Sequence, residues 1–321
     1  MWSDAFGTLT FDGGASSTDI QTPFDLASLT KVIATTTMAM RLVDAGALGL
    51  DERVADGFAD WRGDDRTTVT VRDLLEHSSG LSARLVDAPP GGRRAFEHDI
   101  CAMPLEYAPR TRSVYSDLGF ILLGFLIADR GGKPLAAQWE PIAARLHVPS
   151  DLLTFDLPAD ARPLAAPTLP MADDTRRGRT LVGEVHDNYA AALGGVAGHA
   201  GLFGGASASG AFARTILRAA RGEAPLLSPL PRRLVAAFTT RSAVPGSSRA
   251  LGWDTMLPTS SCGTRMSERA FGHVGFTGTS IWIDPERDRY VVLLTNRACG
   301  GGTMDEMRTV RRAFHDALAD F

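Results

Sequence analysis

A serine and a lysine stand three residues apart in the stretch FDLASLTKVIA, at Ser28 and Lys31. Side chains at this spacing meet on one face of a helix. If a helix starts here, its dipole and burial both disfavour a charged lysine, so its pKa should fall and it could accept a proton from the serine hydroxyl. The pair therefore predicts an activated nucleophile. A plain helix N-cap serine remains the alternative, because so short a motif also arises by chance.

Two further stretches carry groups that acyl transfer needs beside a nucleophile. SVYSDLGF offers Tyr115, whose hydroxyl could relay protons, and Asp117, a carboxylate that could bind the lysine. HVGFTGTS offers His273 at the start of a strand, followed by small residues that let a backbone N–H face a ligand closely. Taken singly, each has an ordinary structural alternative: a packed tyrosine, a helix-capping aspartate and a structural histidine.

The elements that hold these residues alternate between strand and helix patterns. AFGTLTFDGG shows strand-like alternation, and a helix buried on most sides is expected from Ser28 to about Gly46. TVRDLLEHSSGL carries a capping box from Thr70 to Asp73, and SDLGFILLGFLIADRGG indicates a strongly buried helix. Residues 85–110 and 150–185 are rich in Pro, Gly, Arg and Asp, which predicts long surface loops.

The C-terminal part has a different character. HVGFTGTSIWIDPERDRYVVLLTNR contains two strand-like runs joined by a turn with proline, the pattern of an antiparallel hairpin. A last amphipathic helix should then cover one sheet face with the apolar residues Met307, Val310, Phe314, Ala317 and Leu318. Strands near both ends and helices between them predict a discontinuous architecture.

Composition restricts the partners. The chain has 321 residues, 44% of them apolar, and a formal net charge of −4 without a basic stripe, which argues against nucleic acid and anionic membranes. A small-molecule or peptide-like substrate is the expected ligand, and a monomer or weak oligomer the expected state. With no signal peptide or apolar span the sequence as written predicts a cytoplasmic protein, or a periplasmic or secreted one if the true start lies upstream.

Other candidate sites are weaker. GGVAGHAGLFGG lacks nucleotide-binding spacing and is expected to border the active site. His186, Asp187 and His199 could be imagined as metal ligands, but no dense ligand motif surrounds them, so neither metal nor cofactor is predicted. No G-x-S-x-G motif occurs. The three cysteines lie far apart in the sequence and are expected to be packing residues: Cys101, Cys262 and Cys299.

In their order along the chain, Ser28-x-x-Lys31, Tyr115-Ser-Asp117 and His273-Val-Gly275 resemble the motifs of the penicillin-recognising serine hydrolases. The chain is similar to the class C branch, which comprises class C β-lactamases, D-alanyl-D-alanine carboxypeptidases and related esterases. The resemblance extends to the context, including VTVRDLLEHSSGL, GEVHDNYAAALGGVAGHAGLF and the hairpin, and so covers nearly the whole chain.

This resemblance implies an α/β (α+β) fold, with an antiparallel sheet flanked by helices, built from both termini and interrupted by a mostly helical insertion. The implied boundaries are residues 1–45 plus 240–321 for the sheet domain and 46–239 for the insertion. It also implies that Ser28 is acylated, that Lys31 activates it, and that Tyr115 shares the acid and base work. The backbone N–H groups of Ser28 and Phe276 would form the oxyanion hole, with Gly275 beside them.

Two departures from the family pattern shape the expected activity. His273 and Val274 stand where many β-lactamases have lysine and threonine, so recognition of a substrate carboxylate should be weaker and pH-dependent. Asp117 replaces an asparagine and should stabilise charged Lys31. The sequence therefore predicts a serine hydrolase that cleaves an ester, amide or lactam bond, with ester or peptide-like substrates favoured over β-lactams. The alternative is a penicillin-binding or peptide-binding sensor without turnover.

Overall fold

The sheet and the helices around it form the mixed α+β architecture that the sequence predicts. The computed structural model describes residues 2–85, 91–146, 152–223 and 230–318. The helices are a π-helix, Lys31–Thr35, and α1 (Thr36–Asp44), α2 (Val54–Gly57), α3 (Val71–Leu75), α4 (Gly92–Ala102), α5 (Asp117–Gly131), α6 (Leu135–Ala143), α7 (Asn188–Ala192), α8 (Ala206–Ala220), α9 (Arg232–Thr239) and α10 (Met304–Ala317), with short 3-10 turns at Ala144–Leu146 and Arg162–Leu164.

The strands form two antiparallel sheets. The strands β1 (Phe24–Asp25), β2 (Leu153–Thr154) and β3 (Phe203–Gly204) make a small sheet in the order β1-β3-β2. The strands β4 (Asp254–Thr255), β5 (Phe271–Val274), β6 (Ser280–Asp284) and β7 (Arg289–Leu293) make the larger sheet in chain order. The predicted hairpin is confirmed as β6 and β7, which pair from Ser280 with Leu293 to Asp284 with Arg289.

Helices cover both faces of the larger sheet. Successive side chains of β6 point to opposite faces, so Ile281 and Ser280 belong to different layers. Ile281 lies in the main hydrophobic core, and α8 packs on this side, where Gly210 lies close to Tyr290. On the other side Ser280 Oγ hydrogen-bonds His315 Nε2 of α10 at 3.1 Å. The expected last helix on a sheet face is therefore confirmed.

The face that α10 buries differs from the prediction. Val310 is 52% exposed, whereas the buried side chains are Met307, Arg311 and His315, which repeat every four residues. The polar groups Arg311 and His315 are tolerated there because the neighbouring strands and turn supply hydrogen-bond acceptors. A search for apolar residues at helical spacing could not identify this buried face, because Arg311 and His315 are polar.

The predicted N-terminal strand is wrong. Residues 5–14 belong to a short loop that folds back on itself, with Leu9 N–H donating to Ser16 and Thr18 N–H to Gly7, both at 2.9 Å. No strand of the larger sheet lies beside this loop in the described ranges, and Phe6 and Phe11 remain exposed, Phe11 at 85%, whereas Leu9 packs partly buried against the main core. Alternation alone predicted a strand, but the segment pairs only with the residues just after it, through an isolated bridge between Thr8 and Ser17.

The remaining predictions about the elements have mixed outcomes. The capping box at Thr70 and Asp73 is confirmed, and so is the buried helix α5, which ends at the left-handed Gly132. The loop expected over 85–110 is wrong in part, because α4 occupies Gly92–Ala102. Residues 150–185 are mostly irregular, as expected, around β2 and one 3-10 turn. Residues 86–90, 150 and 151 lie outside the described ranges.

Two further observations bear on the chain as a whole. Among the described residues, no helix combines the length and apolar character that crossing a bilayer requires. Cys101 and Cys262 are buried free thiols, and burial raises the pKa of each to about 12.

We retain the two-domain division as a proposal, and the packing of α8 on β6 and β7 suggests that the sheet region extends back to residue 206.

Candidate active site

The serine and the lysine meet as the spacing predicts. The helix begins directly after Ser28 and continues as the π-helix Lys31–Thr35, in which Thr36 N–H donates to Lys31 O. Such π segments are frequent at functional sites, whereas an α-helix was expected here. Lys31 Nζ lies 3.1 Å from Ser28 Oγ, and Lys31 is fully buried while Ser28 is partly accessible. A substrate could therefore reach the serine but not the lysine.

Asp25 shapes the turn that presents Ser28. Its carboxylate accepts hydrogen bonds from Ala27 N–H at 2.8 Å and from His186 N–H at 2.6 Å. Ala27 has φ +47°, a left-handed conformation that is strained for a residue with a side chain. The hydrogen bond from its N–H to Asp25 helps hold that conformation. Burial raises the pKa of Asp25 to about 6, although these hydrogen bonds partly oppose the rise.

Tyr115 and Asp117 reach the pair from the entry of α5. Tyr115 OH donates to Ser28 Oγ at 2.8 Å, and Lys31 Nζ donates to Asp117 Oδ1 at 2.8 Å. Lys31 Nζ also donates to the backbone oxygen of His199 at 3.0 Å. The three N–H bonds of an ammonium thus have three acceptors. The glycine-rich segment that carries His199 borders the site, as expected.

The ion pair decides the protonation state of Lys31. Burial alone would lower the pKa of Lys31, but the charge of Asp117 and its hydrogen bond outweigh burial, and the net pKa is raised above 10.5. The lowered lysine pKa expected from the helix dipole is therefore wrong, and the expectation that Asp117 holds Lys31 charged describes the site. Burial also raises the pKa of Tyr115, so the tyrosine is a phenol at neutral pH.

Asp117 is itself part of a larger charge network. Arg84 Nη1 bridges Asp117 Oδ2 at 3.0 Å and Asp187 Oδ2 at 3.1 Å. Asp187 Oδ1 in turn lies 2.7 Å from His199 Nε2. Burial would raise the pKa of Asp187, but His199 and Arg84 hold it far below its usual range. Asp117 thus contacts two cations, Lys31 and Arg84.

The third stretch lies beside the nucleophile turn because two threonines tie it there. Thr277 Oγ1 donates to Asp25 O at 2.7 Å, and Thr279 Oγ1 donates to Leu26 O at 3.1 Å. A Cβ on Gly275 would stand 2.6 Å from Leu26 O, so only glycine allows this approach. The turn after β5 is thereby fixed against the residues that precede Ser28.

Two backbone N–H groups remain available at this junction. Within the described ranges, neither Ser28 N–H nor Phe276 N–H donates a hydrogen bond to the protein. Free, fixed N–H groups beside a nucleophile are the components of an oxyanion hole. The Phe276 ring is 39% exposed at the mouth of the site and stacks on His186 at a centroid distance of 5.1 Å.

His273 lies near Tyr115 but is not a cation. The two rings are 5.8 Å apart, and His273 Nδ1 donates to Val274 O at 2.8 Å. Burial and the nearby charge of Arg249 hold the pKa of His273 well below its usual range. The expectation that this histidine would recognise a carboxylate in a pH-dependent way is wrong near neutral pH, because no protonation occurs there.

The sequence interpretation missed three arginines. Arg84 links Asp117 to Asp187, Arg249 places its guanidinium carbon 5.1 Å from the centre of the Tyr115 ring, and Arg311 lies buried below Gly275. In the described part of the chain, the side chain of Arg249 has no acidic partner. Residue type gave no signal, because arginine supplies nearly every cation of this chain. The position of Arg311 between the apolar residues Val310 and Phe314 of the last helix gave no clear signal either.

The predicted metal candidates do not converge on one point. His199 pairs with Asp187, whereas the ring of His186 stacks on Phe276. No cluster of three histidine, cysteine or acidic side chains occurs within the described residues. The absence of metal and cofactor therefore stays a prediction.

Comparison with known proteins decides the family. The Beta-lactamase family model matches residues 2–315. The chain belongs to the β-lactamase family. It is a serine hydrolase of that family, as the motifs predicted.

Two curated relatives and one solved structure illustrate the range of this family. The "N-acetylmuramyl-L-alanine amidase" of Bacillus subtilis (strain 168) is 34% identical over 307 residues, covering 86% of this chain and 68% of that protein. The "Putative D-alanyl-D-alanine carboxypeptidase" of Escherichia coli (strain K12) is 33% identical over 310 residues, covering 86% and 69%. A class C β-lactamase from Rhodobacter sphaeroides shares the fold, with a TM-score of 0.73 at 20% identity, covering 98% of this chain and 90% of that one.

Replacement of Asp117 by asparagine tests how the ion pair controls reactivity. Removing the carboxylate charge should lower the pKa of Lys31, so the rise of the acylation rate with pH should move to lower pH in Asp117→Asn. The measurement is the rate of ester-driven Ser28 acylation across the alkaline range, with circular dichroism to confirm folding. Lys31→Arg is the control, because a permanent cation should abolish acylation at every pH. A profile of Asp117→Asn that superimposes on the wild type would refute this control of Lys31.

Proposed function

We propose that Ser28 forms an acyl-enzyme with the carbonyl carbon of an ester or amide substrate. The observation that carries the proposal is the convergence of Lys31 Nζ and Tyr115 OH on Ser28 Oγ, at 3.1 Å and 2.8 Å, beside two free backbone N–H groups. A nucleophile, proton-transferring groups and oxyanion donors are the parts that acyl transfer requires.

In the proposed sequence Ser28 Oγ attacks once Lys31 is in its unprotonated form and can accept the hydroxyl proton. Tyr115 then relays a proton to the leaving group, which departs as an alcohol or amine. The N–H groups of Ser28 and Phe276 stabilise the oxyanion. Water completes the cycle by attacking the acyl-enzyme, which regenerates Ser28 and releases the acid.

We propose a peptide-like substrate that carries a free carboxylate. His273 is neutral, yet Arg249 supplies a cation beside Tyr115 that has no acidic partner among the described residues. A guanidinium binds a carboxylate through paired, charge-assisted hydrogen bonds. The names of the amidase and carboxypeptidase relatives favour a substrate related to cell-wall peptides, and D-alanyl-D-alanine peptides are the first to test.

A penicillin-binding or peptide-binding sensor without turnover is the second candidate. The observation that favours it is the raised pKa of Lys31, since a lysine held as an ammonium by Asp117 is a poor base for acylation or deacylation. A sensor would then retain its acyl group on Ser28, whereas a hydrolase would release it.

Turnover and intact mass together separate these candidates. The protein is incubated with a p-nitrophenyl ester, a chromogenic cephalosporin and a D-alanyl-D-alanine peptide. A hydrolase gives turnover that falls about a thousandfold or more in Ser28→Ala. A sensor gives a lasting adduct on Ser28 without turnover. If neither turnover nor an adduct occurs, Ser28 acylation is wrong.

Arg249 should set the preference for a carboxylate. Arg249→Ala should raise KM for a D-alanyl-D-alanine peptide about tenfold or more, because the loss of one charge-assisted hydrogen bond weakens binding by about this factor. The kcat should stay nearly unchanged. For the same peptide with a C-terminal amide, KM should not change. Arg241→Ala is the matched control, because Arg241 donates to Thr255 Oγ1 and Met256 O, away from the motif residues. An equal loss for acid and amide would contradict carboxylate recognition.

A further inference from the structure

The buried guanidinium of Arg311 lies directly beneath the peptide unit that carries the Phe276 N–H. Arg311 is 2% exposed, and its Nη2 donates to Gly275 O at 2.6 Å and to Thr279 O at 3.0 Å. In the described ranges Arg311 forms no ion pair with an acidic side chain, and its Nε has no hydrogen-bond partner. Burying such a charge is costly, so its position calls for a role beyond packing.

The geometry of the peptide unit connects Arg311 to the reaction. Gly275 O and Phe276 N–H belong to the same peptide group, and no peptide bond in the described chain is cis. In a trans peptide the C=O and N–H bonds point in opposite directions. A cation hydrogen-bonded to the oxygen draws electrons from that peptide and makes its N–H a stronger donor on the opposite side.

We propose that Arg311 is a positioning residue that holds and polarises the Gly275–Phe276 peptide, so that the Phe276 N–H binds the oxyanion more strongly. The inference rests on the proposed acylation of Ser28 and adds to it a charge source in α10. Arg311 does not touch the substrate. Its effect should grow as negative charge develops on the substrate oxygen, and it should therefore appear in the acylation rate rather than in binding.

The second contact of Arg311 supports the same role. Thr279 O, which accepts from Arg311, also accepts from Gly275 N–H at 2.8 Å, so the guanidinium joins both ends of the turn that follows β5. Thr279 Oγ1 in turn ties this turn to Leu26 O, two residues before Ser28. Arg311 thus holds the shape of the turn that Thr279 ties to the nucleophile segment, and it polarises the donor at that junction.

The test is the infrared stretch of the acyl-enzyme carbonyl in Arg311→Met and Arg311→Lys. Each protein is acylated with a substrate carrying ¹³C at the reacting carbonyl, and intact mass confirms the adduct on Ser28. Stronger hydrogen bonding lowers the wavenumber of that stretch. Arg311→Met should raise the wavenumber and slow acylation about tenfold, less than the loss of a direct oxyanion donor, with substrate affinity unchanged. Arg311→Lys retains the charge and should recover most of both effects.

Arg312→Met is the matched control. Arg312 is the next residue of α10 and donates to Ser260 O at 2.6 Å, so its loss removes a similar backbone contact outside the site. It should change neither the wavenumber nor the acylation rate. If Arg311→Met does not fold, Arg311→Gln, which retains an N–H donor without the charge, is measured in its place and should also raise the wavenumber.

Two failures can be told apart. A Ser28 adduct whose carbonyl stretch and acylation rate are the same in wild type and in the charge-free variant would overturn the role of Arg311 and leave the proposed function intact. The absence of both turnover and any Ser28 adduct in the wild-type protein would overturn the proposed function, and the role of Arg311 with it.

Discussion

The ion pair between Lys31 and Asp117 is the interaction on which the site depends. It joins the first helix to α5 at 2.8 Å and is buried among the residues that carry the nucleophile and Tyr115. Because Asp117 also contacts Arg84, and Arg84 contacts Asp187, the pair is anchored to the segment that precedes α7. The interaction that assembles the site therefore also holds its lysine in the protonated form. The contact that fixes the position of Lys31 also opposes the loss of its proton. Such conflicts between a stable structure and reactivity are common at active sites.

The positive charges of the site are distributed in an unusual way. The third motif has no lysine, and burial keeps His273 neutral. Two arginines from elsewhere in the chain provide the cations: Arg249 from the side of Tyr115, and Arg311 from below the turn after β5. In a chain with only two lysines, the proposed roles assign these tasks to arginine and keep Lys31 for the one cation that must be able to lose its proton.

The sequence predicted the parts of the molecule that follow from local rules. The capping box at Thr70, the buried helix α5 and the hairpin of β6 and β7 are all set by neighbouring residues, and Ser28 and Lys31 met because i and i+3 side chains share a helix face. The N-terminal strand was wrong because a strand needs a pairing partner, which no local pattern reveals. The raised pKa of Lys31 and the roles suggested for Arg249 and Arg311 depend on contacts between distant segments.

The protonation state of Lys31 can be measured directly by NMR. Since Lys31 and Lys133 are the only lysines, labelling lysine with ¹³C gives two ε-methylene signals, and the exposed Lys133 serves as the internal reference. The Lys31 signal should be that of an ammonium at neutral pH and should titrate above the ordinary lysine value of 10.5. A Lys31 signal of the neutral amine at pH 7 would contradict the conclusion that Asp117 holds this lysine charged.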